Sequence, residues 1–166
     1  MDGLEHVTFM TADGVDPAPE GIVRTLADRH ITVGLTLGVA PVPGMTMPPE
    51  MTSRLPTLVA NARRLYAAGV PITAGTDAGI GPIKPPDVLC HAVAHLEQLG
   101  MSGATALRAC TSEAAAVCGL GHRKGRLAPG YDADILAVQG DPITDPTALH
   151  RIRAVYVRGR RVTSRP

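Results

Sequence analysis

The chain has 166 residues, enough for one domain of ordinary size. Hydrophobic residues make up 45%, and Phe9, Tyr66, Tyr131 and Tyr156 are its only large aromatic side chains, so its core must be aliphatic. Acids and bases nearly cancel to a formal charge of +1, which excludes a broad nucleic-acid face; the arginines between Arg151 and Arg161 form a local cluster without aromatic platforms for bases.

Leu4 to Phe9 reads as a short strand. Pro17 to His30 is predicted helical, because Ile22, Val23, Leu26 and Ala27 recur at the 3.6-residue period. Ile31 to Val39 alternates apolar residues at 31, 33, 35, 37 and 39, the pattern of a second strand. Ala40 to Pro49 carries four prolines and a glycine and is predicted to be a loop. Ser53 to Ala68 is a second amphipathic helix ended by Gly69, and Pro71 to Asp77 is a third strand.

A Gly/Pro loop follows from Gly79 to Pro86, then a helix from Asp87 to Leu99. Ser102 is expected to cap a helix running to about Cys110, and Thr111 to cap another that Gly119 terminates. Strand and helix thus alternate over the first hundred residues, which implies a parallel sheet with right-handed crossovers. After Gly121 the texture changes to turns and short strands: Ala133 to Gln139, Ala154 to Arg158, and Arg161 to Thr163. Asp134 is expected to bond backbone within its own turn, and Asp141-Pro142 to preset a bend.

Cys90, Cys110 and Cys118 are odd in number and lack C-x-x-C spacing, so they read as small core hydrophobes rather than a disulfide framework. No apolar run approaches a membrane span, and no basic segment precedes an apolar one at the start, so the cytoplasm is the expected compartment.

The most informative stretch is Val70 to Gly79, a strand that stops on Asp77 between Gly75 and Gly79. A carboxylate at the carboxyl end of a parallel strand stands where α/β folds place their chemistry, and it can bind a metal or take a proton. His6 closes the first strand in a similar way, and Glu5 beside it could orient it. His91 and His95 share a helical face, but Ala92 replaces the glutamate of a zincin, so the pair reads as structural; His91 could still line a substrate pocket. Thr76 and Ser112 lie outside any G-x-S-x-G setting.

Glu5-His6, Gly75-Thr-Asp-Ala-Gly79, Ala106 to Thr111, Gly119-Leu120, Gly125 to Gly130, Ala133-Asp-Ile135 and Gly159 to Val162, taken in that order, resemble the C-terminal half of the metal-dependent amidohydrolase superfamily. Its imidazolonepropionase-like and prolidase-like members are the nearest in pattern. The resemblance implies a partial (β/α)8 barrel, its last three strand–helix units, over residues 1–120, and the C-terminal strands of a small β-sandwich over 121–166. It implies that His6 and Asp77 are metal ligands and that Asp77 is catalytic, shuttling a proton to and from the hydrolytic water. It further implies one or two divalent ions such as zinc, a small amide or peptide-like substrate, and either a homo-oligomer or a complementing chain carrying strands one to five. The family's first-strand His-x-His, fourth-strand lysine and fifth-strand histidine have no counterpart here. A non-catalytic remnant or assembly module is therefore the competing expectation.

Overall fold

The computed structural model describes residues 3–162. Two three-stranded sheets and a set of helices form it. The first sheet is β1 (Gly3–Glu5), β2 (Thr32–Thr36) and β3 (Ile72–Gly75), parallel and side by side in chain order. Helices α1 (Glu20–Asp28) and α2 (Pro49–Ala67) connect them, and α3 (Leu89–Gln98), α4 (Gly103–Cys110) and α5 (Ser112–Val117) follow. The second sheet is antiparallel: β4 (Ile135–Val138), β5 (Ile152–Val157) and β6 (Arg160–Val162). A 3-10 turn, Pro146–His150, precedes β5. No helix among the described residues is long and apolar enough to cross a membrane.

Register settles which face of the parallel sheet is the core. Leu4 aligns with Val33 and Ile72, and Leu35 with Ala74. These five pack with Val23, Leu26, Leu65, Val93 and Leu96 from the helices. The other face carries Glu5, Gly34, Thr36, Thr73 and Gly75, which are small or polar. Gly34 is there for Glu5: a Cβ at 34 would fall 2.2 Å from the Glu5 carboxylate.

Buried Asn61 sews the segment before α1 onto α2. Its Oδ1 accepts from Ala18 N at 2.8 Å, and its Nδ2 donates to Asp16 O at 2.8 Å.

Several expected boundaries move for identifiable reasons. The first strand stops at Glu5, because His6, Val7 and Phe9 take left-handed backbone conformations. The second helix begins at Pro49, four residues early, since proline at the first helical position lacks only a hydrogen that would go unpaired. Ser102 caps α4 as expected, accepting from Thr105 N at 3.2 Å. Thr111 does not cap α5 through its side chain: its hydroxyl donates back to Leu107 O at 2.6 Å. Asp141 does form its turn, accepting from Ile143 N at 2.9 Å. Asp134 instead reaches Arg158 N at 2.8 Å, 24 residues away, and so ties β4 to the β5–β6 turn. Of the last expected strand, Thr163 lies outside the described residues.

Candidate metal centre

The carboxyl ends of β1, β2 and β3 present His6, Thr36 and Asp77 along one rim. His6 and Asp77 leave strands that β2 separates, a span of about 10 Å at ordinary strand spacing. Their side chains lean together until His6 Nε2 stands 3.9 Å from Asp77 Oδ2. Both are largely exposed. His6 Nδ1 lies 3.2 Å from the Thr36 hydroxyl, which fixes the ring and leaves Nε2 facing Asp77. The backbone turns sharply at both: φ is 68° at His6, 47° at Val7 and 51° at Asp77. Aspartate tolerates that region, but a β-branched valine is strained in it, and such strain gathers at functional sites.

Lys84, read from sequence as part of a structureless loop, is buried at the same rim. Its Nζ donates to Thr76 O at 2.8 Å, Thr36 O at 3.1 Å and Leu37 O at 3.4 Å, gathering the ends of β2 and β3. Burial lowers its pKa below 10.5, and the charge of nearby Asp77 opposes the fall. The loop closes where Gly79 N donates to Lys84 O at 2.7 Å. Lys84 has no periodic signal, and its carbonyl partners at 36 and 37 are nearly fifty residues back. Thr36 had a faint one, a hydroxyl ending an alternating strand.

Glu5 does not orient His6; its carboxylate lies over Gly34, and Thr36 holds the ring instead. His91 sits in the first turn of α3 against His150, with ring centroids 4.5 Å apart. One turn on, His95 Nδ1 accepts from Gly38 N at 3.3 Å, just past β2. Burial, and then His91, lower the His95 pKa, so it serves this bond as a neutral imidazole. A cleft of about 430 Å³ lies elsewhere, at the amino ends of β2 and β3, between Thr32, Pro71, Arg108 and Glu113. It does not reach the rim.

Two ligands of one zinc-class ion, at bonds near 2.0–2.2 Å, stand about 3.4 Å apart in a tetrahedron and at most about 4.2 Å. The 3.9 Å separation of Nε2 and Oδ2 falls within that span, and imidazole with carboxylate is a donor set such an ion accepts. The rim residues therefore fit a divalent metal, as two of its ligands.

Comparison with known proteins gives the family. The amidohydrolase family matches residues 2–163. An imidazolonepropionase of Geobacillus kaustophilus is 35% identical over 134 residues, covering 79% of this chain and 28% of that protein. An uncharacterized protein of Mycobacterium bovis is 31% identical over 175 residues, covering 96% of this chain and 42% of that protein. The chain thus spans less than half the length of these relatives. Among solved structures, a molinate hydrolase superposes with a TM-score of 0.79 at 20% identity, over 97% of this chain and 38% of that one. A putative prolidase from Bifidobacterium longum superposes at 0.75 with 24% identity, over 99% and 42%. At these identities the superpositions establish a shared α/β fold. The sequence match over nearly the whole chain establishes more: this protein belongs to the amidohydrolase family.

Proposed function

We propose that this chain supplies the closing portion of a metal-dependent hydrolase of carbon–nitrogen bonds, acting on a small amide, cyclic amide or peptide-like substrate. The convergence of His6 Nε2 and Asp77 Oδ2 to 3.9 Å, from two strands that a third separates, carries this reading. On it, residues 1–120 are the last three units of a (β/α)8 barrel and 121–166 the closing strands of a small β-sandwich. The relatives' imidazolonepropionase and prolidase names support the carbon–nitrogen class, and the cytoplasm is the compartment we assign.

A divalent ion, zinc by its match to mixed nitrogen and oxygen donors, supplies when bound a water that ionises near neutral pH. His6, steadied by Thr36 through Nδ1, would hold such an ion through Nε2. Asp77 would hold it through one carboxylate oxygen, and its other oxygen would be free to take a proton from water and pass it to the leaving nitrogen. Lys84 holds the rim on which Asp77 stands. A catalytic zinc takes about three protein ligands, so this chain's two must be joined by residues from outside it. That shortfall favours the second reading, a non-catalytic assembly module or remnant, for the chain by itself.

Metal titration and an activity assay test the proposal together. In a Cys90→Ser background, which keeps that thiol out of the titration, zinc should bind weakly, and His6→Ala or Asp77→Asn should weaken it at least about tenfold further. The chain alone should hydrolyse neither N-acyl amino acids nor Xaa-Pro dipeptides. Co-expressed with a polypeptide supplying the other five strands, it should do so, and Asp77→Asn should then cost about 10²–10⁴-fold in rate. Zinc affinity indifferent to both rim substitutions would defeat the proposal.

A further inference from the structure

A second set of metal-ligating side chains, sharing no residue with the rim, lies where the first turn of α3 packs on the 3-10 turn Pro146–His150. Cys90, His91 and His150 each turn one donor atom inward, and all three atoms lie within 4.8 Å of one another. Cys90 Sγ stands 3.5 Å from His150 Nδ1. In a tetrahedral zinc site, with bonds near 2.3 Å to sulfur and 2.0–2.1 Å to nitrogen, sulfur and nitrogen donors are about 3.5 Å apart. That pair is already at ligand spacing, and His91, whose ring lies tilted against His150, has roughly 1 Å to close.

We propose that Cys90, His91 and His150 form a binding site for a borderline-soft divalent cation of the zinc class, separate from the His6–Asp77 rim, which fastens the β4–β6 module to helix α3.

The donor chemistry selects the ion. One thiolate with two imidazoles suits zinc, and disfavours magnesium and calcium, which want oxygen. Three protein donors leave the fourth position to water or to Asp87, whose charge acts on both Cys90 and His91. The thiol now donates to Asp87 O at 3.2 Å. On binding, the sulfur releases that proton to solvent and coordinates as thiolate, one proton per ion. His150 is exposed, so the ion has a way in. The site joins residues sixty positions apart, and Ala148 and Leu149 beside it are buried. A bound ion would therefore cross-link two elements that already pack together.

Cobalt(II) titration of the reduced protein tests the proposal. A near-ultraviolet sulfur-to-cobalt charge-transfer band is expected at one equivalent, bleached by zinc. Cys90→Ser should abolish the band and His150→Gln should weaken cobalt binding at least about tenfold, with each variant's fold checked by circular dichroism. Asp77→Asn should leave the band intact, which separates this site from the rim. Zinc should also raise the Tm of the parent more than that of Cys90→Ser, in which only the weaker rim site remains. No charge-transfer band, or one that survives Cys90→Ser or disappears in Asp77→Asn, would overturn the proposal.

Discussion

Lys84 carries one charged group into the rim, and its energetics can be read from the sign of its shift. Burial holds its pKa below 10.5, so between the lowered value and 10.5 the unfolded chain binds more protons than the folded one. Stability therefore gains from this group as pH rises through that window, and the full cost of the buried ammonium is present below it. A neutral amine keeps two N–H donors for the three carbonyls, so deprotonation gives up one of the three bonds, the longest being that to Leu37 O at 3.4 Å. Lys84→Met loses the donor altogether and strands those carbonyls, at about 1–3 kcal/mol. In urea unfolding the wild type should be the more stable by that margin near pH 7, and the gap should widen as pH rises toward 10.5. A gap that narrows with pH would mean the ammonium is not disfavoured. Cys110 pulls the opposite way, its thiol raised from 9.0 to about 11 by burial, so its contribution falls as pH rises through that interval. It is common to both proteins and cancels from the comparison. The same shift keeps Cys110 protonated at neutral pH, so an alkylating reagent should label exposed Cys118 first.

Elements meet most tightly where α4 begins. Gly103 has ordinary helical space of its own, but a Cβ there would come within 2.0 Å of the Ile143 carbonyl oxygen, a backbone atom that cannot swing aside. Gly103→Ala should destabilise by about 1–3 kcal/mol, outweighing the 0.5–1 kcal/mol that alanine returns inside a helix. Gly34→Ala is the control, since its clash is with the far end of the flexible, exposed Glu5 side chain and should cost less. Pro56 makes the converse case. It stands exposed inside α2 without an N–H to bond Thr52 O, so Pro56→Ala should stabilise, by up to about 3 kcal/mol in thermal unfolding. These contacts also show what could be read from the chain beforehand. Alternating Val33, Leu35 and their neighbours announced the strands, and the apolar spacing in α1 announced a helix, because burial imposes its period on sequence. The approach of His6 to Asp77 was to be expected only through family resemblance. Thr36, Lys84 and the meeting of His150 with Cys90 were not, because each depends on chain crossings that leave no local period. Pro48-Pro49 misled for a related reason, since proline breaks a helix everywhere except in its first turn.

At the scale of the molecule, surface is in excess. A compact monomer of 17.3 kDa exposes about 7,800 Å² by the usual scaling. This chain exposes 10393 Å², roughly 2,600 Å² more, which is larger than a standard protein–protein interface. The openness has a location. β1 and β3 each pair on one side only among the described strands, so two sheet edges remain, and a closed barrel would have none. Ile80, on the loop after Asp77, is 75% exposed, and Leu127, before the second sheet, is 76% exposed. The face opposite the core is not the large apolar surface that the alternating strands suggest, because Glu5, Gly34, Thr36 and Thr73 line it. Association should therefore run through strand edges and exposed loop side chains rather than through a greasy sheet face. Edge pairing is satisfied by a second copy or by a chain bringing the neighbouring strands, and both bury the excess. Light scattering should accordingly find the isolated chain above monomer mass, and, if the proposed barrel is right, a polypeptide supplying its other five strands should convert it to a defined complex of one copy each. Lysine placed at an edge, as in Leu4→Lys, would confound the test by spoiling the core. Gly3→Lys, exposed on the edge strand β1, is the suitable probe, and it should lower the associated fraction while leaving circular dichroism unchanged. A monodisperse monomer across the concentration series would show instead that these two three-stranded sheets and five helices fold as a unit by themselves, and would shift the balance toward the module reading.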